Sequence, residues 1–179
     1  MPNWCNNWAE IEGPVEKIKA LHEAGKDEKF LEHMAPIGNW DYDDAVSNWG
    51  TKWDIDIGNL TYEQDGKRAT IKGYFESAWS PPDQAFETYL LNNHDVNMQL
   101  MWFEPAMDFV GCLEHGTVTL SDEPREFWTD TDTGRELDEC FGILDSVDEH
   151  MAEVMEEVVN TDPTTLMDPE YDKQTKETN

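Results

Sequence analysis

The 179 residues carry 40 acidic against 12 basic side chains, a net charge of −28. Such a surface repels both a nucleic-acid backbone and an anionic membrane, since no basic footprint is present to release counterions, so neither is expected as a direct partner. Eight Trp, seven Phe and five Tyr speak against disorder throughout, because that much aromatic surface has to be buried.

No apolar run reaches membrane-spanning length, and Met1-Pro2-Asn3-Trp4 lacks the charged and apolar regions of an export signal. The expectation is a soluble, cytoplasmic protein. Cys5, Cys112 and Cys140 form an odd, scattered set with no C-x-x-C, which reads as reduced thiols rather than disulfides. Five dispersed His supply no metal-ligand cluster, and neither a metal nor another cofactor is expected.

Residues 1–120 hold 21 acidic and 8 basic residues, whereas 121–179 hold 19 and 4 in half the length. The hydrophobic pattern changes at the same place. The chain therefore divides into an α+β domain over 1–120, an acidic helical appendage over 121–160 and a loose acidic tail over 161–179.

Asn6 to Glu12 alternates as a strand and stops at Gly13-Pro14, where the proline suits the first turn of a helix. Val15, Ile18, Leu21 and His22 share one face of that helix, which ends near Gly25. Glu28 to Met34 reads as a short helix before Pro36, and Gly38 to Thr51 as an irregular insert rich in Trp, Asn and Asp.

Ile55 and Ile57 alternate with polar residues, as do Ala69, Ile71, Gly73 and Phe75, with a hairpin turn at Gln64-Asp65-Gly66 between the two strands. Ser80 is placed to N-cap a helix bearing Phe86, Tyr89 and Leu90, and Val96 to Phe103 follows as a strand. The order β-α-β-β-α-β predicts a ferredoxin-like core. Asp108 to Leu113 and Thr117 to Leu120 add an extra β-hairpin, and apolar residues from Leu137 to Val158 at 3-4 spacing predict one long amphipathic helix over 136–160.

Four segments, Met1-Pro2-Asn3-Trp4-Cys5-Asn6-Asn7, Trp49-Gly50-Thr51-Lys52-Trp53-Asp54, Ser77-Ala78-Trp79-Ser80-Pro81-Pro82 and Glu104-Pro105-Ala106-Met107-Asp108-Phe109, occur in this order. Together they resemble the YubB-like ferredoxin-fold proteins of bacteriophages and conjugative plasmids, over roughly residues 1–113. The resemblance implies a ferredoxin-like fold and a mobile-element origin, and it implies no activity. The acidic helix and tail lie outside it.

Candidate chemistry falls into four groups. Trp4, Asn6, Trp49, Lys52, Trp53 and Trp79 have the makings of a pocket for a planar, anionic, nucleotide-like ligand, with Trp8, Trp40, Asn3 and Asn7 beside them. The competing reading is that these rings staple a polar insert to a small domain.

Asp41, Asp43 and Asp44 read as solvated surface, and Asp130 to Gly134 fails as a calcium loop because Gly134 is fifth and Phe141 twelfth. No nucleophile elbow, zinc motif or phosphate loop is present, and nothing in the spacing pairs two of Glu76, Asp83, Glu104 and Asp108, so no catalytic residue is assigned.

The acidic helix forms the last group. No Lys or Arg interrupts the chain from Glu136 to Asp172, although an ordinary surface helix mixes signs for i, i+4 pairing. Carboxylates three or four residues apart recur every ~5–6 Å along a helix, close to the roughly 6–7 Å between phosphates of a nucleic-acid strand.

Asp138, Asp145, Asp148, Glu149, Glu153, Glu156 and Glu157 are thus candidates to occupy the basic groove of a host nucleic-acid-binding protein, such as a defence nuclease, by charge mimicry. General solubility or salt adaptation is the alternative, although nine Lys against three Arg and plentiful aromatics argue against the latter. The apolar stripe of the helix is expected to dock on the open face of the sheet, or else to form a homodimer.

Overall fold

The computed structural model of the chain describes residues 3–114, 116–121 and 131–144. The protein is α+β, with an antiparallel sheet and packed helices. In chain order the elements are β1 (Trp4–Pro14), α1 (Val15–Lys26), α2 (Phe30–Met34), α3 (Tyr42–Trp49), β2 (Leu60–Asp65), β3 (Arg68–Ala78), α4 (Asp83–Asn92), β4 (Asn97–Glu104), β5 (Phe109–Glu114), β6 (Thr117–Ser121) and α5 (Asp132–Phe141).

The sheet order is β2-β3-β1-β4-β5-β6, every neighbouring pair being antiparallel. Since β2 and β1 both oppose β3, they run parallel to each other across it.

Alternation along β1 decides the two faces. Cys5, Ala9 and Ile11 are buried on one of them, joined in the core by Ile71 and Phe75 of β3 and Leu100 and Trp102 of β4. Ile18 and Leu21 of α1, Phe30 and Leu31 of α2 and Phe86 of α4 close the core. Burying each such side chain contributes about 1.5–3 kcal/mol. Gly25 lets this layer close, because a Cβ there would stand 2.9 Å from the Phe30 ring and crowd Ile57 as well.

Several elements differ from the sequence expectation. The insert before Thr51 contains the helix α3, whose start is fixed by Asp41: its carboxylate accepts from the Asp43 and Asp44 amides, while Gly50 closes the helix at φ 87°.

Ile55 and Ile57 are core residues of a loop, not of a strand; their alternation reflects burial beneath α1 and α2, and β2 begins at Leu60. Ser80 does not cap α4, which starts at Asp83 after Pro82 with no side-chain cap; its hydroxyl donates to the Gly50 carbonyl instead. The hairpin turn falls at Gly66-Lys67, closed by the Asp65–Arg68 pair.

α5 begins at Asp132, earlier than expected, and ends at Phe141 because Gly142 has φ 59°. The helix expected over 136–160 is therefore broken at residue 142. Its remainder beyond Leu144, with the tail, lies outside the described residues. The chain divides into two units, Met1–Phe141 and Gly142–Asn179.

Within the first unit α5 lies on the second face of the sheet. Leu137 is buried, the Phe141 ring sits 6.3 Å from Tyr74 and 6.5 Å from Phe103, and Tyr74 donates its hydroxyl to the Cys140 carbonyl at 3.2 Å.

Candidate functional site

The four sequence segments singled out above meet at one end of the sheet. Asn7, 1% exposed, donates its amide to the Cys5 carbonyl at 2.8 Å and to the Ser77 hydroxyl at 2.9 Å. Ser77 passes the chain of bonds to the Ser80 carbonyl at 2.8 Å, and Ser80 in turn reaches Gly50. Thr51, fully buried, donates to the Ala78 carbonyl at 2.8 Å, and the Trp79 amide donates to Asn3 at 2.9 Å.

Asp54 accepts from the Leu31, Glu32 and Ile55 amides and so caps α2. The buried Glu104 carboxylate accepts from the Ala106 and Met107 amides and shapes the turn into β5. A buried polar group without partners costs about 1–3 kcal/mol, so these bonds explain why such residue types stand together.

Over this network lies an exposed aromatic surface. Trp4, Trp40, Trp53, Trp79 and Tyr74 are each at least 40% exposed. Trp4 and Trp53 approach to 6.4 Å between ring centres, and Lys52 Nζ sits 4.3 Å over the Trp53 ring. Trp40 Nε1 is tied to the Lys52 carbonyl at 3.1 Å. Trp79 holds φ 75°, a left-handed conformation costly for a bulky residue.

Beside these rings a cleft of about 610 Å³ is lined by Trp4, Asn6 and Asn7 of β1 with their β3 neighbours Tyr74 to Ala78, and by Trp53, Asp54, Asp56 and Asn59 of the loop before β2. Its volume is in the about 300–1,000 Å³ range of ligand clefts. The cleft exists because β2 pairs with β3 only as far as Gly73. There the chain at Asn59 closes on the strand and then departs: Gly73 has φ 145°, and a Cβ would stand 2.7 Å from the Asn59 carbonyl oxygen.

Of the six expected pocket residues, Trp4, Asn6 and Trp53 line this cleft. Lys52 is held against Trp53, and Trp79 lies at the end of β3 just beyond the cleft wall. Trp49 is elsewhere: it is 4% exposed and its indole donates to the Ala35 carbonyl at 2.8 Å, a core residue of α3. The expectation missed Asp56, Asn59, Tyr74 and Glu76. Their signal would have been the short reach of β2, which only the strand register reveals.

Of the expected acidic contact residues, Asp138 lies on α5, while Asp145, Asp148, Glu149, Glu153, Glu156 and Glu157 are outside the described residues.

Burial, then the Glu104 and Asp83 charges, push the Cys5 thiol far above its ordinary range, so it stays protonated and is a poor nucleophile. Burial also raises the Asp54 and Asp83 carboxyls. Among the described residues no group of three His, Cys, Asp or Glu is placed to hold a metal ion, and no helix is long and apolar enough to cross a membrane. No protein-family model, no curated protein and no solved structure matches this chain.

Proposed function

We propose that this chain is a small acidic binding protein of bacteriophage or plasmid type, with a ferredoxin-like core, that occupies the nucleic-acid groove of a host defence protein by charge mimicry. The β2-β3-β1-β4 order of the first four strands supports that core, with β5 and β6 as the added hairpin. Three of the YubB-like segments are hydrogen-bonded to one another at this corner, and Glu104 of the fourth lies near enough to act on Cys5, which supports the kinship.

The observation that carries the mimicry reading is how α5 is used. Its apolar side is spent on the sheet, through Leu137 and Phe141, while Glu136 and Glu139 stay exposed. Over Asp132–Phe141 the docked helix offers a partner carboxylates rather than an apolar face, which favours mimicry over dimerisation through this part of the stripe.

The test is capture from a bacterial lysate with the full chain and with a full-chain variant carrying Asp148→Lys, Glu153→Lys and Glu157→Lys. A nucleic-acid-binding protein that is held by the native chain, released by salt and by duplex DNA, and ignored by the variant supports mimicry. Equal capture by both chains refutes it. Truncation at Gly134 is the poorer test, because it strips Leu137 and Phe141 from the sheet.

A second reading, a site for a planar nucleotide-like ligand, is favoured by the meeting of Trp4, Asn6 and Trp53 in one cleft. Quenching of tryptophan fluorescence by a nucleotide panel tests it, and silence across the panel counts against it.

A further inference from the structure

The cleft is bounded by a strand edge whose outward backbone groups pair with no strand among the described residues. In an antiparallel sheet, alternate residues turn their N–H and C=O to opposite neighbours. The Trp79 amide donates to the Asn3 carbonyl, and the same register pairs Ser77 with Cys5 and Phe75 with Asn7, so the odd positions of this stretch turn towards β1. The even positions turn outward, where Arg68, Thr70 and Lys72 meet Asp65, Glu63 and Thr61 of β2. Past Gly73 that partner is gone. The Ala78 carbonyl is taken by Thr51, but the outward groups of Tyr74 and Glu76 open onto the cleft.

The charged residues that line this cleft are all acidic. Asp54, Asp56 and Glu76 line the cleft, and none of its described lining residues is basic. The Asp54 carboxylate is engaged by amides, and Asp56 accepts from Gly58 at 2.8 Å. Glu76 is exposed and opposes Asn6 across the strands. Trp53 already holds one ammonium, that of Lys52, over its ring, which is the preference expected of an indole face. An anionic ligand meets carboxylates here, whereas a cation meets both carboxylates and ring faces.

We propose that the cleft binds an extended, basic segment of a partner polypeptide. The segment adds to the sheet as a short strand on Tyr74 and Glu76, with Lys or Arg side chains beside Glu76 and over Trp4 and Trp53. Main-chain pairing supplies affinity, and the carboxylates and rings select for basic residues. The proposal rests on the cleft being a binding site and is independent of charge mimicry by the C-terminal region.

The test uses the full chain with acetyl-Lys-Val-Lys-Val-Lys-amide, its Glu counterpart, and two forms of the Lys peptide N-methylated on one or the other set of alternate amides. Binding is read by tryptophan fluorescence and by backbone amide NMR. The Lys peptide is expected to bind and shift the Tyr74 and Glu76 amides, the Glu peptide to fail, and only one of the methylated forms to fail. Glu76→Lys should weaken binding at least tenfold and Glu76→Gln by less, while the equal charge change Glu16→Lys on α1 leaves it unaltered.

Failure of every basic peptide overturns the proposal. So does equal binding of both methylated forms, which means charge attraction alone. Loss of binding in the Asp148, Glu153 and Glu157 reversal but not in Glu76→Lys also overturns it, by moving the site to the acidic C-terminal region. Nucleotide binding without peptide binding overturns the strand proposal while keeping the cleft as a ligand site.

Discussion

Replacing Asn7 by Ala removes the residue that ties the first segment to the third. The side chain is 1% exposed, and its amide serves the Cys5 carbonyl, the Ser77 hydroxyl and, at 3.4 Å, the Phe75 carbonyl. Two of these contacts are short and buried, and each partner left unsatisfied costs about 1–3 kcal/mol.

The Ser77 hydroxyl keeps its bond to Ser80 and the Cys5 carbonyl keeps its ladder partner on β3, so the loss is that of two buried hydrogen bonds, about 1–3 kcal/mol. For a chain of this size that lowers Tm by roughly 2–12 °C. The assay is urea and thermal unfolding followed by circular dichroism, for Asn7→Ala, Ser77→Ala and the double variant. Because the two side chains share a bond, their effects should be less than additive by about 0.5–3 kcal/mol. A loss below about 0.5 kcal/mol for Asn7→Ala, or strict additivity, would refute the assignment of this pair as a structural bond.

Gly111 faces Trp102 across β4 and β5, and a Cβ there would come within 2.8 Å of the buried indole Nε1. Gly111→Ala should therefore cost about 1–3 kcal/mol in urea unfolding, and a neutral result would mean that the indole swings aside freely. At position 79 the usual ranking of Ala over Gly should invert. With φ 75°, Trp79→Gly should be more stable than Trp79→Ala by about 1 kcal/mol, and the reverse order would deny the left-handed geometry.

Asp83 is held above its ordinary value of 3.8 chiefly by burial. The folded state then binds the proton more tightly than the unfolded one, so this contribution is fully present below the unfolded value and is lost as pH rises through the folded one. Asp83→Asn should flatten the fall in urea midpoint just above pH 4, and an unchanged pH profile would refute the shift.

The helices facing the core were legible because burial writes a period into the chain: Ile18 and Leu21 mark α1, and Phe86 and Tyr89 mark α4. The same logic misled at Ile55 and Ile57. Two buried residues separated by one polar residue look like a strand, but here Asp54 is turned to cap α2 and the chain cannot pair until Leu60. α3 was concealed by composition, although its cap at Asp41 and its closing Gly50 are local signals.

The cleft was half legible. Trp4 and Trp53 announced themselves as aromatics in short motifs, yet Trp49, four residues before Trp53, is a core residue on the buried side of α3. Tyr74 gave no sign at all, and Glu76 stood out only as a carboxylate without a partner for chemistry. Their part depends on where β2 stops, and strand pairing partners are a long-range property that composition does not encode.

The corner where the four segments meet does two kinds of work that pull against each other. Inside, Asn7, Ser77, Thr51 and Glu104 are buried polar groups that contribute little net stability but define one geometry, because each is costly to leave unpaired. Outside, the same stretches expose Trp4, Trp53 and Trp79 and hold one of them in a strained backbone.

A sequence selected for stability alone would bury those rings and relax position 79 to glycine. Retaining both the rigid interior and the exposed rings is what a preorganised binding surface requires, since fixing the rings in advance lowers the ordering cost at the moment of binding. The Asn7 and Ser77 variants, at positions that also line the cleft, should therefore weaken any ligand of the cleft together with the stability they remove. A Glu76 variant should instead weaken that ligand while leaving the unfolding curve in place.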